Sequence, residues 1–155
     1  MKAKDLMTKQ PCCCSPDDTI ADVARMMRDH DCGSIPVIEA GKVVGIVTDR
    51  DLAMRALAEG RAGSVVVREV MTASPQCCEE EDDVTHVERV MSDRQVRRVP
   101  VLNADGGCVG IISQADLARA TTEGLSDREV AATIENISQP DHDHMRSQSE
   151  LRARL

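Results

Sequence analysis

At 155 residues the chain can form one compact domain or two very small ones, and its 41% hydrophobic and 30% charged content is that of an ordinary globular protein. No run approaches the roughly 18 apolar residues needed to span a bilayer, and the opening MKAKDLMTKQP has no apolar core of signal-peptide length; the expectation is a cytoplasmic protein with no membrane partner. The net charge of −8, from 27 acidic against 19 basic residues, opposes long nucleic-acid backbones, while a local arginine cluster can still hold a small anion.

The first recognisable stretch is Leu6-Met7-Thr8, followed by Pro11-Cys12-Cys13-Cys14 in a short extended segment. A helix is predicted next: Ser15 is a candidate N-cap, Pro16 suits the first helical position, and acidic residues fill the first turn. Ile20, Val23, Ala24 and Met27 fall on one face, and Gly33 is expected to end the element. SIPVI and KVVGIV then read as a hairpin of buried strands around a glycine-containing turn. A second helix is predicted from Asp49 to about Glu59, stopped by Gly60.

The same order then returns. Leu6-Met7-Thr8 reappears as Val70-Met71-Thr72, Pro11 as Pro75 and Pro36 as Pro100, all shifted by 64 residues. Gly45, Thr48 and Asp51 match Gly110, Ser113 and Asp116 at a shift of 65, because the second hairpin turn, NADGG, is one residue longer. Each copy reads as short strand, helix, strand, strand, helix, an α+β unit too thin to bury a core alone, so the copies should pack about a pseudo-twofold axis with two clefts between them. The expected boundaries are 1–62 for the first copy, 63–122 for the second and 123–155 for a C-terminal helix and tail. There Ser126 and Glu129 suggest a capping box, and Leu125, Val130, Ile134 and Ile137 an apolar stripe of one more helix, before a polar tail.

With no Phe, Tyr or Trp, any flat ligand must be gripped by aliphatic side chains. Seven cysteines, odd in number and partly vicinal, argue against a disulfide framework, and vicinal pairs chelate zinc poorly, so no metal site is expected. Thr48 to Asp51 and Ser113 to Asp116 each place a hydroxyl and an acid where a buried strand enters a helix. That spacing is a capping pattern in its own right. Its repetition after the same glycine-bearing strand also suits a nucleotide: helix N–H groups accommodate phosphate and an edge carboxylate accepts hydroxyl protons of a ribose.

These features resemble a tandem pair of cystathionine β-synthase (CBS) domains, the Bateman module, over roughly Met1 to Thr122. The resemblance rests on the Met-Thr openings, the triplets Ile35-Pro36-Val37 and Val99-Pro100-Val101, and the endings Gly45-Ile46-Val47-Thr48-Asp49-Arg50-Asp51-Leu52 and Gly110-Ile111-Ile112-Ser113-Gln114-Ala115-Asp116-Leu117. It implies a regulatory module that binds adenine nucleotides, AMP, ADP or ATP, or a related adenosyl ligand between its halves, forms a homodimer and signals to an effector protein. Carried over, Asp51 and Asp116 bind ribose, Thr48 and Ser113 contact ribose or phosphate, and Ile35, Pro36, Val37, Val99, Pro100 and Val101 line the adenine slot, with Thr8 and Thr72 at its edge. Arg97 and Arg98 occupy the phosphate-holding places of the second copy. The first has Gly33 and Ser34 there, and its Arg50 corresponds to Ala115, so two unequal sites are expected.

An enzyme is not expected. His30 and His86 fall on predicted helices, His142 and His144 in the tail, where DHDH could hold a metal only weakly, and no phosphate-binding glycine loop is present. The alternatives are a ligand-free dimerisation or protein-interaction module, and a redox sensor using Cys13, Cys14, Cys77 and Cys78.

Overall fold

The computed structural model describes residues 1–120 and 126–139. Leu125, residues 121–122 and the DHDH tail lie outside them. Among the described residues no helix is long and apolar enough to cross a membrane.

The chain forms helix α1 (Ala3–Leu6), strand β1 (Thr8–Lys9), α2 (Ile20–Asp29), the hairpin β2 (Ser34–Glu39) and β3 (Lys42–Thr48), and α3 (Asp49–Asp51), which runs on as a π-helical stretch, Leu52–Leu57. The second copy gives β4 (Thr72–Ala73), β5 (Cys78–Glu79), α4 (Val84–Arg94), β6 (Arg98–Leu102), β7 (Cys108–Ser113) and α5 (Gln114–Ala120), followed by α6 (Asp127–Ile137). The predicted second helix is therefore present, but widened after one turn: Ala58 N–H reaches Ala53 O and Arg61 N–H reaches Ala56 O.

Two sheets result, β2-β3-β4 and β1-β7-β6-β5, and their order carries a correction to the repeat as read along the chain. Each copy's opening strand joins the other copy's hairpin. Thr8 pairs with Ile111, and Thr72 pairs with Ile46. The exchange includes the residues before each strand: Ala3 N–H bonds Asp82 O and Val84 N–H bonds Met1 O, as Val67 N–H bonds Asp18 O and Ile20 N–H bonds Val65 O. Ala3 is accordingly fully buried in the core with Val84, Val87, Met91, Val99 and Leu117, while Val67 and Val70 are buried in the core with Val23, Ile35, Val37 and Val47. We call the lobe around α2 lobe one and that around α4 lobe two. A close approach fixes each arm: a Cβ on Gly110 would collide with Met7, and one on Gly45 with Met71.

The pseudo-twofold extends to backbone irregularities. Both hairpins slip register at equivalent places, between Val37 and Ile38 and between Val101 and Leu102. Gln10 and Ser74, and Asp31 and Gln95, adopt the same left-handed conformation at φ near 50°. The last pair ends the two long helices, with Cys32 N–H bonding Met27 O and Val96 N–H bonding Met91 O. Gly33 therefore does not stop α2, because Asp31 has already done so. Nor is Ser15 its N-cap. Ser15 closes a separate turn with Asp18, and Thr19 caps the helix by accepting the Asp22 N–H at 3.2 Å. Of the expected stripe, Ile20, Val23 and Met27 are buried but Ala24 is exposed. The β2–β3 turn uses positive φ at both Ala40 and Gly41, the geometry of a tight two-residue hairpin.

Helix α6 begins at Asp127 with Ser126 in the N-cap position, as expected, but no side-chain cap forms; the Ser126 carbonyl receives the N–H groups of Glu129 and Val130. It buries Val130 and Ile137 in the lobe-two core and packs on α4 and α5, so only lobe two carries it.

Candidate functional site

Each β3–α3 and β7–α5 junction is held by a reciprocal capping box. Asp51 Oδ2 accepts the Thr48 N–H and hydroxyl, both at 3.0 Å, and Thr48 Oγ1 accepts the Asp51 N–H at 3.1 Å. In lobe two the corresponding Ser113–Asp116 bonds are 2.7, 2.6 and 3.3 Å. The capping geometry is thus realised in both copies. It occupies one carboxylate oxygen; the other faces a cation, Arg55 Nε at 3.6 Å from Asp51 and Arg119 Nη2 at 2.5 Å from Asp116.

Between the lobes lies a cleft of about 1190 Å³. Thr48, Arg50, Asp51, Thr72, Arg97, Arg98 and Ser113 line it, bringing seven of the sequence-derived candidates together from both lobes. Asp116 and Thr8 do not line it. Asp116 is turned toward Arg119 and mostly buried, and Thr8 lies beside Ile111 on the symmetry-related side. The triplets do not line this cleft. Ile35, Val37, Val99 and Val101 are fully buried in the two cores, and Pro36 and Pro100 are buried in mid-strand; their side chains build the wall from behind. The aliphatic surface is supplied instead by Ile46, Val96, Ala115, Ala118, Ile134 and Ile137.

The charge of the cleft runs against that of the chain. Arg50, Arg94, Arg97 and Arg98 line it, opposed among the described residues only by Asp49 and Asp51. Among the described residues none of these four arginines forms an ion pair, whereas Arg25, Arg28, Arg55, Arg61, Arg68 and Arg119 all do. Unpaired guanidiniums in a partly enclosed space favour a bound anion. Gly33 makes room for two of the charged groups. A Cβ there would stand 2.9 Å from Asp49 Oδ2 and 3.2 Å from an Arg98 Nη, so Arg98 of lobe two reaches across to lobe one.

Two contributors were missed from the sequence. Arg94 belongs to the visible basic run RQVRR, whose first member could have been counted with Arg97 and Arg98. The end of α6, with Ile134 and Ile137, and the following Ser138 and Gln139 lie outside the repeat; the apolar stripe was legible, but nothing in the sequence tied it to the site. The cysteines divide differently from the expected pairs. Cys14 and Cys78 sit in separate cores, and burial pushes each thiol up to about 12. Cys13 instead neighbours Cys108; that contact, with burial, raises the Cys13 thiol and lowers Cys108, while the two thiols donate to the Pro11 and Gly110 carbonyls at 3.3 and 3.5 Å.

Comparison with known proteins agrees with this architecture. The sequence profile of the CBS domain matches residues 3–57 and 67–123. The chain is 36% identical over 135 residues to the CBS domain-containing protein YhcV of Bacillus subtilis, covering 87% of this chain and 94% of that one. The CBS domain pair of protein MJ0100, solved in complex with 5′-methylthioadenosine and S-adenosyl-L-methionine, superposes with a TM-score of 0.73 at 28% identity, covering 81% of this chain and 98% of that one. Hypoxic Response Protein I, solved with two coordinated zinc ions, superposes with a TM-score of 0.70 at 30% identity, covering 81% of this chain and 100% of that one.

Proposed function

This chain belongs to the CBS-domain family, with two motifs in tandem, and from that premise we propose that it is a non-catalytic regulatory module whose interlobe cleft binds a phosphorylated adenosine ligand, AMP, ADP or ATP. The observation that carries this reading is the set of four arginines, without an ion pair among the described residues, that line a cleft together with aliphatic side chains and Thr48, Asp51 and Ser113. Aliphatic side chains sandwich the base, the free lone pairs of Asp51 accept ribose hydroxyl protons, and the arginines hold phosphate. Asp116, tied to Arg119 and outside the cleft, takes no part at this site. The adenosyl ligands of the MJ0100 pair support the nucleoside half of the reading. The unpaired arginines favour a phosphate ester over those cationic or uncharged ligands.

Binding between lobes couples ligand to lobe angle, by no more than the ligand's differential affinity for the two arrangements, and a homodimer surface or effector protein reads the change. Thermal shift with ATP, ADP, AMP, S-adenosylmethionine and NADH tests the reading: a ligand at one hundred times its dissociation constant stabilises the fold by about 2.7 kcal/mol. A shift with any of the three adenine nucleotides that exceeds the S-adenosylmethionine shift supports it. No shift with any of the five leaves the interaction-module alternative.

A further inference from the structure

Outside the cleft, three side chains of different donor chemistry converge on lobe two. Cys78 is set by β5, which pairs in parallel with β6 so that Cys78 lies opposite Val101. Asp82 is set by its own turn, its Oδ2 accepting the Glu79 N–H at 2.8 Å. His86 stands in the first turn of α4, with Nε2 3.8 Å from Asp82 Oδ2. A thiol sulfur, a carboxylate oxygen and an imidazole nitrogen thereby lie within 4.8 Å of one another. The sulfur belongs to a residue only 2% exposed, while the His86 side chain is 50% exposed, so the group opens from the core to solvent at one edge.

Lobe one provides the internal control. At the equivalent positions stand Cys14, Asp18 and Asp22. The first two repeat their partners: Cys14 bridges in parallel to Val37, and Asp18 Oδ2 accepts the Ser15 N–H at 2.8 Å. Cysteine and turn aspartate are therefore part of the scaffold in both copies. The third position differs. Asp22 is committed to Thr19 Oγ1 and Arg25 Nη1, both at 2.8 Å, whereas the His86 side chain has no partner beyond Asp82 among the described residues.

We propose that Cys78, Asp82 and His86 bind a zinc ion on lobe two, with water in the fourth position. Tetrahedral zinc with bonds of about 2.0–2.3 Å keeps its donors roughly 3.5 Å apart, a contraction that rotation of the exposed imidazole supplies. The expectation of no metal came from adjacent cysteines, which cannot share an ion well. Here each cysteine's neighbour is irrelevant and the donors recur every four residues across a strand end, a turn and a helix start. Zinc takes the Cys78 sulfur as thiolate, so binding releases the thiol proton to solvent and affinity rises with pH.

The test uses the full, reduced, metal-stripped chain with Zn²⁺ alone in calorimetry and Co²⁺ alone in absorbance. The expected result is one Zn²⁺ per chain and a near-ultraviolet thiolate-to-cobalt band. His86→Ala should weaken Zn²⁺ by at least about tenfold without moving the melting temperature of the metal-free protein. The double variants Cys13→Ser/Cys108→Ser and His142→Ala/His144→Ala should bind as the wild type does. Absence of Zn²⁺ binding, absence of the thiolate band, an unchanged affinity in His86→Ala, or loss of affinity in either double variant overturns the proposal.

Discussion

Lobe one and lobe two share a scaffold down to a register slip and a left-handed residue, yet they face the outside differently. Lobe two presents Arg97 and Arg98 where lobe one has Gly33 and Ser34, and it alone carries α6. Under α6, Glu88 is buried with Oε1 unpartnered among the described residues; its lobe-one counterpart is the exposed Ala24. Lobe one in turn presents Arg50 and a cleft-lining Asp51, where lobe two has Ala115 and an Asp116 turned away. The duplicate therefore keeps backbone hydrogen bonding, capping and core volume. It is free to change the charge decorating the shared cleft, where Arg94, Arg97 and Arg98 of lobe two meet Arg50, Asp49 and Asp51 of lobe one.

The largest effect expected from this division is on stability. Ile35→Ala empties the lobe-one core and should cost about 2–5 kcal/mol. Because the lobes exchange arms, denaturant unfolding should stay a single transition at a lower midpoint, and two separated transitions would show that lobe one unfolds alone. Next in size is the charge difference: Arg98→Ala removes one charged hydrogen-bonding partner of phosphate and should weaken AMP by about 10–100-fold, an interaction of roughly 1.5–3 kcal/mol, while leaving adenosine nearly unchanged. Equal losses for both ligands in calorimetry would remove Arg98 from phosphate binding.

Smaller effects separate the shared scaffold from its decoration. Thr48→Ala and Ser113→Ala each break a capping box and should each cost about 0.5–2 kcal/mol in chemical denaturation. Their effects on stability should match, since the boxes do. The smallest effect is electrostatic. Burial, and secondarily Glu129, raise the Glu88 carboxyl above the usual carboxylate range, so the folded chain holds a proton that the unfolded chain releases. Between the ordinary carboxylate value and that raised value, stability must fall as pH rises. Glu88→Gln should flatten the melting temperature across that window, and an unaltered pH slope would show that Glu88 is not responsible for it.

Much of the fold was legible because its determinants are local. Helix caps, hairpin turns and the register of apolar residues act over a few positions, and a repeat prints each of them twice. The parts that escaped are set by contacts distant in sequence. Nothing around Thr8 specifies that it pairs with Ile111 rather than within its own copy, and the collision that seats Met7 against Gly110 exists only once the lobes meet. Helix ends at Asp31 and Gln95 escaped because left-handed residues there are not glycine. At the site, the hydroxyl–acid pairs and the arginines were visible as residue types, but which carboxylate reaches the cleft depended on how each is tethered.

The crossed arms also bear on how such a chain could arise. A polypeptide carrying a single copy would lack the segment that completes its own core, and would find it only on a second molecule, an obligate reciprocal dimer. Joining the two copies head to tail replaces that encounter with an intramolecular one at an effective concentration on the order of millimolar, so assembly no longer depends on dilution. It also frees each half to diverge, because a subunit that always meets the same partner need not match itself.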